Sequence, residues 1–298
     1  MHIGRLGEFG LIERMRKSIK VDSSVIVGSG DDCAVLKFDK KYFQLFTCDM
    51  LVESVDFTKQ TDLALVGRKA LAVSLSDIAA CAGLPRYAVV SLGLPKGFSV
   101  RQADKLIKGM VNLANVHKLN IVGGDISVSS KLVIDVSMLG IVEKDFLVKR
   151  SGAEKGDIIF TTGSLGGSIK GKHLKFIPRL KEARFLVENF KVNSMIDISD
   201  GLAQDLGHIL VASRKGAVIY EALVPKSKEA ETLEDALYSG EDFELLFTMS
   251  RTQAKKLLLK QSRAFYPLGE ITGKIGSLKL IRKNGKEKNI EKKGFRHF

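Results

Sequence analysis

The chain has 298 residues, which is long for a single hydrophobic core and favours one large α/β domain or two moderate ones. A hydrophobic content of 45%, with 47 basic and 34 acidic residues and a net charge of +13, excludes a disordered or low-complexity chain. The three cysteines form no C-x-x-C pair and charged residues interrupt every long apolar run, so we expect a cytoplasmic protein with free thiols, no signal peptide and no membrane segment.

The first half of the chain predicts a sheet with two long helices. Helical patterns cover Leu63 to Cys81, where apolar or small residues occupy nearly every face, and Ser99 to Leu119, which begins with an N-cap serine. We therefore expect the first helix to be buried and the second to lie on the surface. Runs rich in β-branched residues predict the strands SSVIVG, YFQLFTCDMLV, YAVVSLGL, LNIVGGDISV and KLVIDVSMLGIV.

A polar link, VKRSGAEKGD, separates this half from the second one. We place the domain boundary there, which gives an N-terminal domain at 1–148 and a C-terminal domain at 149–298. The expected fold class is α/β (α+β) in two domains. Beyond the link, the sequence predicts a strand at DIIFTTG, a helix around Arg179 to Asn189, a strand from Met195 to Ile198 and a helix from Leu202 to Arg214.

Aspartates recur where a predicted strand or helix ends or turns. Each one alone is more often a turn or helix-cap residue than a ligand, but several carboxylates in one cleft would repel each other unless hard cations bridged them. Ligands that are all oxygen suit Mg²⁺, which also prefers phosphate oxygens and water. The pattern therefore predicts a nucleotide polyphosphate held through metal. The aspartates are Asp31, Asp32, Asp49, Asp77, Asp125, Asp197 and Asp200.

Other phosphate-binding and catalytic patterns are weaker. GGSIKGKH satisfies G-x-x-x-x-G-K after a predicted strand, but His173 stands where a P-loop needs Ser or Thr, and Pro178 cuts short the helix that should follow. No G-x-G-x-x-G is present, so a Rossmann site is not expected. The histidines are scattered and indicate no nucleophile and base pair. Phosphoryl transfer onto an ionised phosphate needs only alignment and charge neutralisation.

Several segments, in this order and spacing, resemble thiamine-monophosphate kinases: GDDCAVL, TCDMLVESVDF, ALAVSLSDIAACAGLPRYAVVSLGLP, GGD, LVKRSGAEKGD, IDISDGLAQDLGHI and SGEDFEL. The resemblance covers nearly the whole chain. It implies the aminoimidazole ribonucleotide synthetase-like fold, whose N-terminal domain dimerises through a β-sheet or barrel and shares an ATP cleft with the C-terminal domain. It also implies a homodimer that transfers the γ-phosphoryl group of ATP in line to thiamine monophosphate, with several Mg²⁺ ions.

The resemblance assigns roles to individual residues and no catalytic residue beyond the metal ligands. The implied metal ligands are Asp32, Thr47, Asp49, Asp77, Asp125 and Asp197, with the Cys48 position contributing and Asp200 holding a further ion. The implied nucleotide contacts are Gly124, Asp125, Arg150 and Ser199. Glu241 and Phe295 are implied to face the thiamine moiety, and Asp56 occupies a substrate-facing position.

The sequence departs from the family pattern at Cys48, at Asp56, at Ser239, where a second glycine is usual, and in a shorter segment from Ser164 to Lys191. Cys48 stands where a threonine is more usual, and because a neutral thiol is a poor Mg²⁺ ligand we expect only its backbone carbonyl to serve. Asp56 replaces a histidine, and its charge would repel the substrate phosphate unless it faces the thiazolium cation or a metal.

Two other functions stay open. One is another ATP-dependent enzyme of the same superfamily that acts on a different phosphate or oxygen acceptor. The other is a basic nucleic-acid-binding module, to which the net charge and the basic stretch from Lys279 onward point. Glutamates within that stretch and the lack of interleaved aromatic residues favour a solvated surface instead, so we expect no nucleic-acid or membrane partner.

Overall fold

The structure is a computed structural model that describes residues 2–261 and 265–295. The helices are α1 Ile3–Leu6, α2 Glu8–Ser18, α3 Leu63–Ala80, α4 Val100–His117, α5 Lys172–Lys175, α6 Leu180–Asn189, α7 Leu202–Ser213, α8 Leu233–Tyr238 and α9 Arg251–Gln261. The strands of the first sheet are β1 Val25–Val27, β2 Ala34–Lys37, β3 Tyr42–Val52, β4 Leu84–Leu94, β5 Asn120–Val128 and β6 Val133–Glu143. Those of the second are β7 Ile158–Thr161, β8 Ser194–Asp197, β9 Gly216–Tyr220, β10 Leu245–Met249, β11 Tyr266–Thr272, β12 Leu278–Ile281 and β13 Glu287–Asn289.

The first sheet is six-stranded, in the order β1-β2-β3-β6-β4-β5, and its neighbours are antiparallel except for the parallel pair β4 and β5. Side chains alternate between its two faces. Along β3, Leu45 and Leu51 are buried on the side of α3, whereas Phe46 and Met50 are exposed on the other side. Each residue of the edge strand β5 is exposed. One face of this sheet is therefore covered by helix and the other is open.

The second sheet is seven-stranded, in the order β13-β12-β9-β11-β7-β10-β8, with β9 and β12 as its only parallel pair among the described strands. The edge strand β8 ends at Asp197, which lies opposite Leu245 of β10. Because β8 stops there, the chain leaves the sheet at Asp197 and turns into α7. The Asp197 carboxylate thus lies at a sheet edge that faces the first domain.

Helix α3 lies between the two sheets. Asp62 caps its N-terminus by accepting hydrogen bonds from the amides of Ala64 and Leu65. One hydrophobic core surrounds α3 and includes side chains from both sheets, such as Leu45 and Phe247. A second core lies on the other face of the second sheet, under α7 and α8. Residues from both halves of the chain consequently meet along α3.

Most of the sequence-predicted elements are confirmed. The predicted buried helix is α3 and the predicted surface helix is α4, and the strands and helices predicted around Asp197 are present. Helices α1 and α2 were not predicted. The boundary between residues 148 and 149 falls between β6 and β7 and stays a prediction.

The described chain by itself forms no closed barrel, and a barrel formed on dimerisation stays a prediction. In the described chain the first sheet is open, with β1 and β5 at its two edges. Closure would require these edges to meet, or strands from another chain to be added. Across residues 2–261 and 265–295, we find no helix that is long and apolar enough to cross a membrane.

Candidate active site

A cluster of carboxylates lies where the two halves of the chain meet. The carboxylate groups of Asp32, Asp77 and Asp197 offer oxygens that all lie within 4.8 Å of one another. Asp32 precedes β2, Asp77 lies in the last turn of α3, and Asp197 ends β8. The sequence predicted all three as metal ligands, and the fold brings them together from positions that are far apart in the chain.

Hydroxyl groups hold this aspartate cluster in place. Thr47 on β3 donates a hydrogen bond to Asp77. Ser74 donates to Asp49 at 2.7 Å, and Ser76 donates to Asp197 at 2.6 Å. Since Ser74 and Ser76 belong to α3 while Asp49 belongs to β3 and Asp197 to β8, the helix fixes acidic side chains of both sheets.

The carboxylates are costly to ionise in this environment. Burial raises the pKa of Asp77 well above its usual value, and the charges of Asp49, Asp197 and Asp32 raise it further. Burial likewise raises the pKa of Asp197 to about 8 and that of Asp49 to about 6, with the charge of Asp32 adding to both shifts. The charged form of each of these carboxylates is therefore disfavoured by its surroundings in the protein.

Arg150 is the cation that the protein itself supplies. Its guanidinium group donates to Oδ1 of Asp32 from Nε at 3.2 Å and from an Nη atom at 2.7 Å. Its main-chain amide donates to both carboxylate oxygens of Asp31 at 3.2 Å. Burial and the charge of Asp32 raise the pKa of Asp31 to about 6. Within the aspartate cluster, the guanidinium group of Arg150 hydrogen-bonds to Asp32.

The donor set fits Mg²⁺. Oδ2 of Asp32 is buried and has no hydrogen-bond partner among the described residues, although a buried polar atom normally has one. The carboxylate oxygens of Asp32, Asp77 and Asp197 suit Mg²⁺ better than the softer transition metals. The Cys81 thiol also lies within 4.8 Å of the carboxylates of Asp31 and Asp32, but a neutral thiol is a poor Mg²⁺ ligand. A divalent cation would satisfy the open oxygen and stabilise the charged form of these carboxylates, whose pKa values are raised first by burial and then by one another.

Two predicted motifs pack against each other beside the cluster. In the turn after β8, the main-chain oxygen of Ser199 accepts the amide of Glu241 at 2.6 Å, and that of Ile198 accepts the amide of Phe243 at 2.8 Å. The main-chain oxygen of Asp200 accepts the amide of Phe295 at 3.0 Å. The IDISDG turn, the SGED turn and residue 295 therefore lie next to one another, and the nucleotide and substrate roles assigned to them stay predictions.

Asp200 also belongs to a second polar group. The carboxylates of Asp200 and Asp205 and the ring of His208 each offer one ligand atom, and these atoms lie within 4.8 Å of one another. Oδ2 of Asp205 accepts the amides of Asp200 and Gly201 at 3.1 and 3.0 Å, so Asp205 caps the start of α7. Burial lowers the pKa of His208 to about 4, and its ring packs 5.3 Å from that of Phe9. The His208 imidazole is therefore packed in the protein interior.

Other predicted residues lie apart from the aspartate cluster. Asp125 lies on the exposed strand β5, in register with Ser91 and, across β4, with Asp135. Alternation places this row on the open face of the sheet, opposite α3. Cys48 lies on the same face and its thiol donates to Asp135 at 3.2 Å. The Cys48 side chain therefore points away from the cluster, and the contribution expected from its main chain stays a prediction.

Gly124 and Asp56 also have distinct surroundings. A Cβ atom at Gly124 would lie 1.8 Å from the main-chain oxygen of Val90, so β5 approaches β4 there more closely than any side chain would allow. The Asp56 carboxylate accepts the amide of Val52 at 2.7 Å and closes the turn after β3. One of its oxygens is thereby committed to the main chain.

The segment GGSIKGKH is not a phosphate-binding loop of the P-loop type. The helix that follows it, α5, spans only Lys172–Lys175. Lys172 donates to Glu244 at 2.9 Å, and Arg179 donates to the same buried carboxylate at 2.7 and 2.8 Å. The lysine is therefore part of an internal ion network, and the weak match of this segment to a P-loop does not correspond to a phosphate-binding loop.

Sequence reasoning missed polar residues that hold the site. Lys69, Ser74 and Ser76 are buried within the apolar helix α3. A polar residue in a helix with apolar residues on every face must find a buried partner, and that signal was available in the sequence. The identity of the partners was not, because they lie on distant segments.

The comparisons with known proteins agree with this geometry. The AIR synthase related protein family matches the chain with its N-terminal domain at residues 30–142 and its C-terminal domain at residues 135–280. The thiamine-monophosphate kinase of Buchnera aphidicola subsp. Schizaphis graminum is 36% identical, with 98% of both chains covered. That of Escherichia coli (strain K12) is 33% identical, again with 98% of both covered. A structure described as AaThiL complexed with AMPPCP and TMP has a TM-score of 0.87 at 30% identity, covering 100% of this chain and 99% of that one.

The two sheets and the carboxylate cluster between them define the class, that of the AIR synthase related proteins. Identity above 30% along nearly the full length of curated relatives narrows the class further. The chain belongs to the thiamine-monophosphate kinase family.

Proposed function

We propose that the protein phosphorylates thiamine monophosphate to thiamine diphosphate, with ATP as the phosphoryl donor. The observation that carries this proposal is the buried aspartate cluster between the two halves, in which Oδ2 of Asp32 has no hydrogen-bond partner among residues 2–261 and 265–295. Phosphoryl transfer relies on positioning and charge neutralisation more than on covalent chemistry. A relative of known structure, AaThiL, was obtained with an ATP analogue and TMP. Because ATP is the donor, we place the protein in the cytoplasm.

Several Mg²⁺ ions fit the proposed site. Asp32, Asp49, Asp77 and Asp197 would hold them, with Thr47 beside Asp77. When bound, Mg²⁺ would neutralise the charge of the phosphate oxygens. We further propose that Asp200 holds another Mg²⁺ ion. The main-chain carbonyl of Cys48 on β3 and the carboxylate of Asp125 on β5 would be additional metal ligands.

The chain's own residues would bind and orient the substrates. Arg150, which already faces Asp32, offers a fixed cation to the nucleotide phosphates. Ser199 and the tightly packed Gly124 present main-chain groups to the nucleotide, as in the family pattern. Glu241 and the half-exposed ring of Phe295 would face the thiamine moiety, near Asp56. No general base is needed, because the accepting phosphate is already ionised.

We also propose that the protein is a homodimer formed through the first sheet. The open face of this sheet carries the exposed side chains of Phe46, Met50 and Val89. The adjoining strand β5 has an outer edge that pairs with no other described strand, and its Ile126, 68% exposed, lies on the face opposite to Asp125. An exposed apolar sheet face beside an open strand edge is typical of an interface. A second copy presents the same surface, so a two-fold contact would cover both.

The test is a product assay with ATP, Mg²⁺ and thiamine monophosphate, read as thiamine diphosphate by chromatography. We expect metal-dependent product from the wild-type protein and a rate at least about 100-fold lower from Asp77→Asn, because one preorganised charge is removed from the site. The matched control is Asp104→Asn, an exposed acid on α4, which should keep the wild-type rate. Asp125→Asn tests the role proposed for β5.

ATP consumption without thiamine diphosphate would reject the proposed acceptor while leaving the nucleotide site in place. A rate for Asp77→Asn equal to that of Asp104→Asn would reject the aspartate cluster as the site of transfer.

A further inference from the structure

Lys69 is a fully buried cation whose role the sequence did not indicate. Its side chain is 0% exposed, and it is among the largest fully buried side chains of the described protein. Its ammonium group donates to the main-chain oxygen of Asp56 at 2.9 Å and to Oε1 of Glu241. A lysine is rarely buried completely unless it is paired. Here one ammonium group joins two residues assigned to the substrate site.

The two partners of Lys69 are held by contacts of their own. Asp56 lies in the turn after β3, where its carboxylate accepts the amide of Val52. Glu241 has a φ of 64°, a conformation that side-chain-bearing residues rarely adopt, and its amide donates to the oxygen of Ser199. Such conformations persist where the surrounding structure fixes them. Lys69 therefore connects α3 to two rigid turns, one from each half of the chain.

The Glu241 carboxylate is satisfied on one side only. Oε1 accepts the hydrogen bond of Lys69, whereas Oε2 is buried and has no hydrogen-bond partner among the described residues. An unpaired buried oxygen in a native structure calls for a bound ligand or a functional role. Because Lys69 occupies Oε1, it decides which oxygen stays available and where that oxygen points.

We propose that Lys69 is a positioning residue that orients Glu241 for the thiamine moiety of the substrate. This inference rests on the proposed function. The lysine touches no substrate in this arrangement and acts through Glu241, whose negative charge suits a substrate that carries a thiazolium cation. Loss of Lys69 should consequently weaken binding of thiamine monophosphate, and it should leave ATP binding and the rate at saturation nearly unchanged.

The test compares Lys69→Gln with wild-type protein in steady-state kinetics. Glutamine keeps a donor for Asp56 but removes the charge. We expect KM for thiamine monophosphate to rise at least about 10-fold, because Glu241 loses its charged partner, with KM for ATP and kcat within about threefold. The matched control is Lys170→Gln, which removes the exposed ion pair between Lys170 and Glu231 and should leave all three constants unchanged.

A second comparison keeps the inference testable if Lys69→Gln does not fold. Replacing both partners leaves no charge buried alone, so Lys69→Met with Glu241→Gln is the variant to use. Its KM for thiamine monophosphate should equal that of Glu241→Gln alone, because Lys69 acts only through Glu241.

Three results would overturn the inference. The first is an unchanged KM for thiamine monophosphate in Lys69→Gln with a lowered melting temperature, which would assign the lysine a purely structural role. The second is an equal rise in both KM values. The third is a double variant much weaker than Glu241→Gln. A wild-type protein that forms no thiamine diphosphate would instead reject the proposed function, and the inference with it.

Discussion

At the scale of single residues, Asp242 shows how a buried acid outside the aspartate cluster affects stability. It is 0% exposed, and its carboxylate accepts hydrogen bonds from Ser168 and from the amide of Gly166 at 2.8 Å. Burial nevertheless raises its pKa to about 6, against the hydrogen bond of Ser168 and the charge of Lys172. The folded protein therefore binds this proton more tightly than the unfolded chain does.

This shift predicts a pH dependence of stability. The contribution of Asp242 is complete below pH 4 and is lost as the pH rises through about 6. The free energy of unfolding should fall between pH 4 and 7 by about 2–3 kcal/mol more in wild-type protein than in Asp242→Asn. Urea titrations at a series of pH values measure the difference. The exposed-acid variant Asp104→Asn should follow wild type, and parallel curves for Asp242→Asn would contradict the prediction.

The sequence predicted the acids of the site better than the groups that hold them. Asp77 and Asp197 could be identified because a carboxylate that interrupts an apolar segment needs a cation or a hydrogen-bond partner. Ser76 could not be assigned to Asp197, since 121 residues separate them and no local pattern links the two. The same holds for Lys69 and Glu241. The position of Asp125 on the open face of the first sheet required the strand register, which the sequence does not determine.

At the scale of elements, the contact between α3 and α4 controls the geometry of the aspartate cluster. The helices approach so closely that a Cβ atom at Gly109 would lie 1.9 Å from the main-chain oxygen of Ala64. A Cβ atom at Gly67 would lie 2.1 Å from the main-chain oxygen of Leu106. Both helices therefore need glycine where they cross, and α3 cannot shift without moving Ser76 and Asp77.

Gly109→Ala should separate the two helices. We expect a loss of about 1–3 kcal/mol in the free energy of unfolding, because overpacking outweighs the better helix propensity of alanine. We also expect a lower kcat at a temperature where the variant is still folded. Gly4→Ala in α1, where no heavy atom lies within 4 Å of the added Cβ, is the control and should be neutral or slightly stabilising. Equal stabilities for the two variants would reject the close contact.

The elements themselves were predictable to the extent that their residues show a period. Helix α3 was predicted as buried because apolar and small residues occupy nearly all its faces, and α4 because its apolar residues repeat at helical spacing. Helix α2 was missed because none of its residues is buried and it contains a glycine, so the pattern of a packed face is absent. Its place beside α7, where Phe9 meets His208, depends on tertiary contact.

At the scale of the whole molecule, the net charge opposes association of two copies, whereas the open sheet face favours it. Two copies that each carry +13 repel each other, whereas burial of Phe46, Met50 and Val89 on the open face favours a dimer. Salt screens the repulsion and leaves the apolar contact intact. The proposed dimer should therefore persist, or tighten, as the salt concentration rises. Binding to nucleic acid would show the opposite trend, because it weakens steeply with salt.

Val89→Lys tests the proposed interface. The substitution places a charge on the open face of the first sheet, where Val89 is 41% exposed in the single chain, and desolvating that charge in a dimer is costly. We expect the dissociation constant from sedimentation equilibrium to rise at least about 10-fold at fixed salt. Leu259→Lys is the matched control, because it places the same charge on an apolar residue of α9 that is 80% exposed and remote from the first sheet. A wild-type monomer at micromolar concentration, or equal dissociation constants for the two variants, would show that the open face is not the contact between copies.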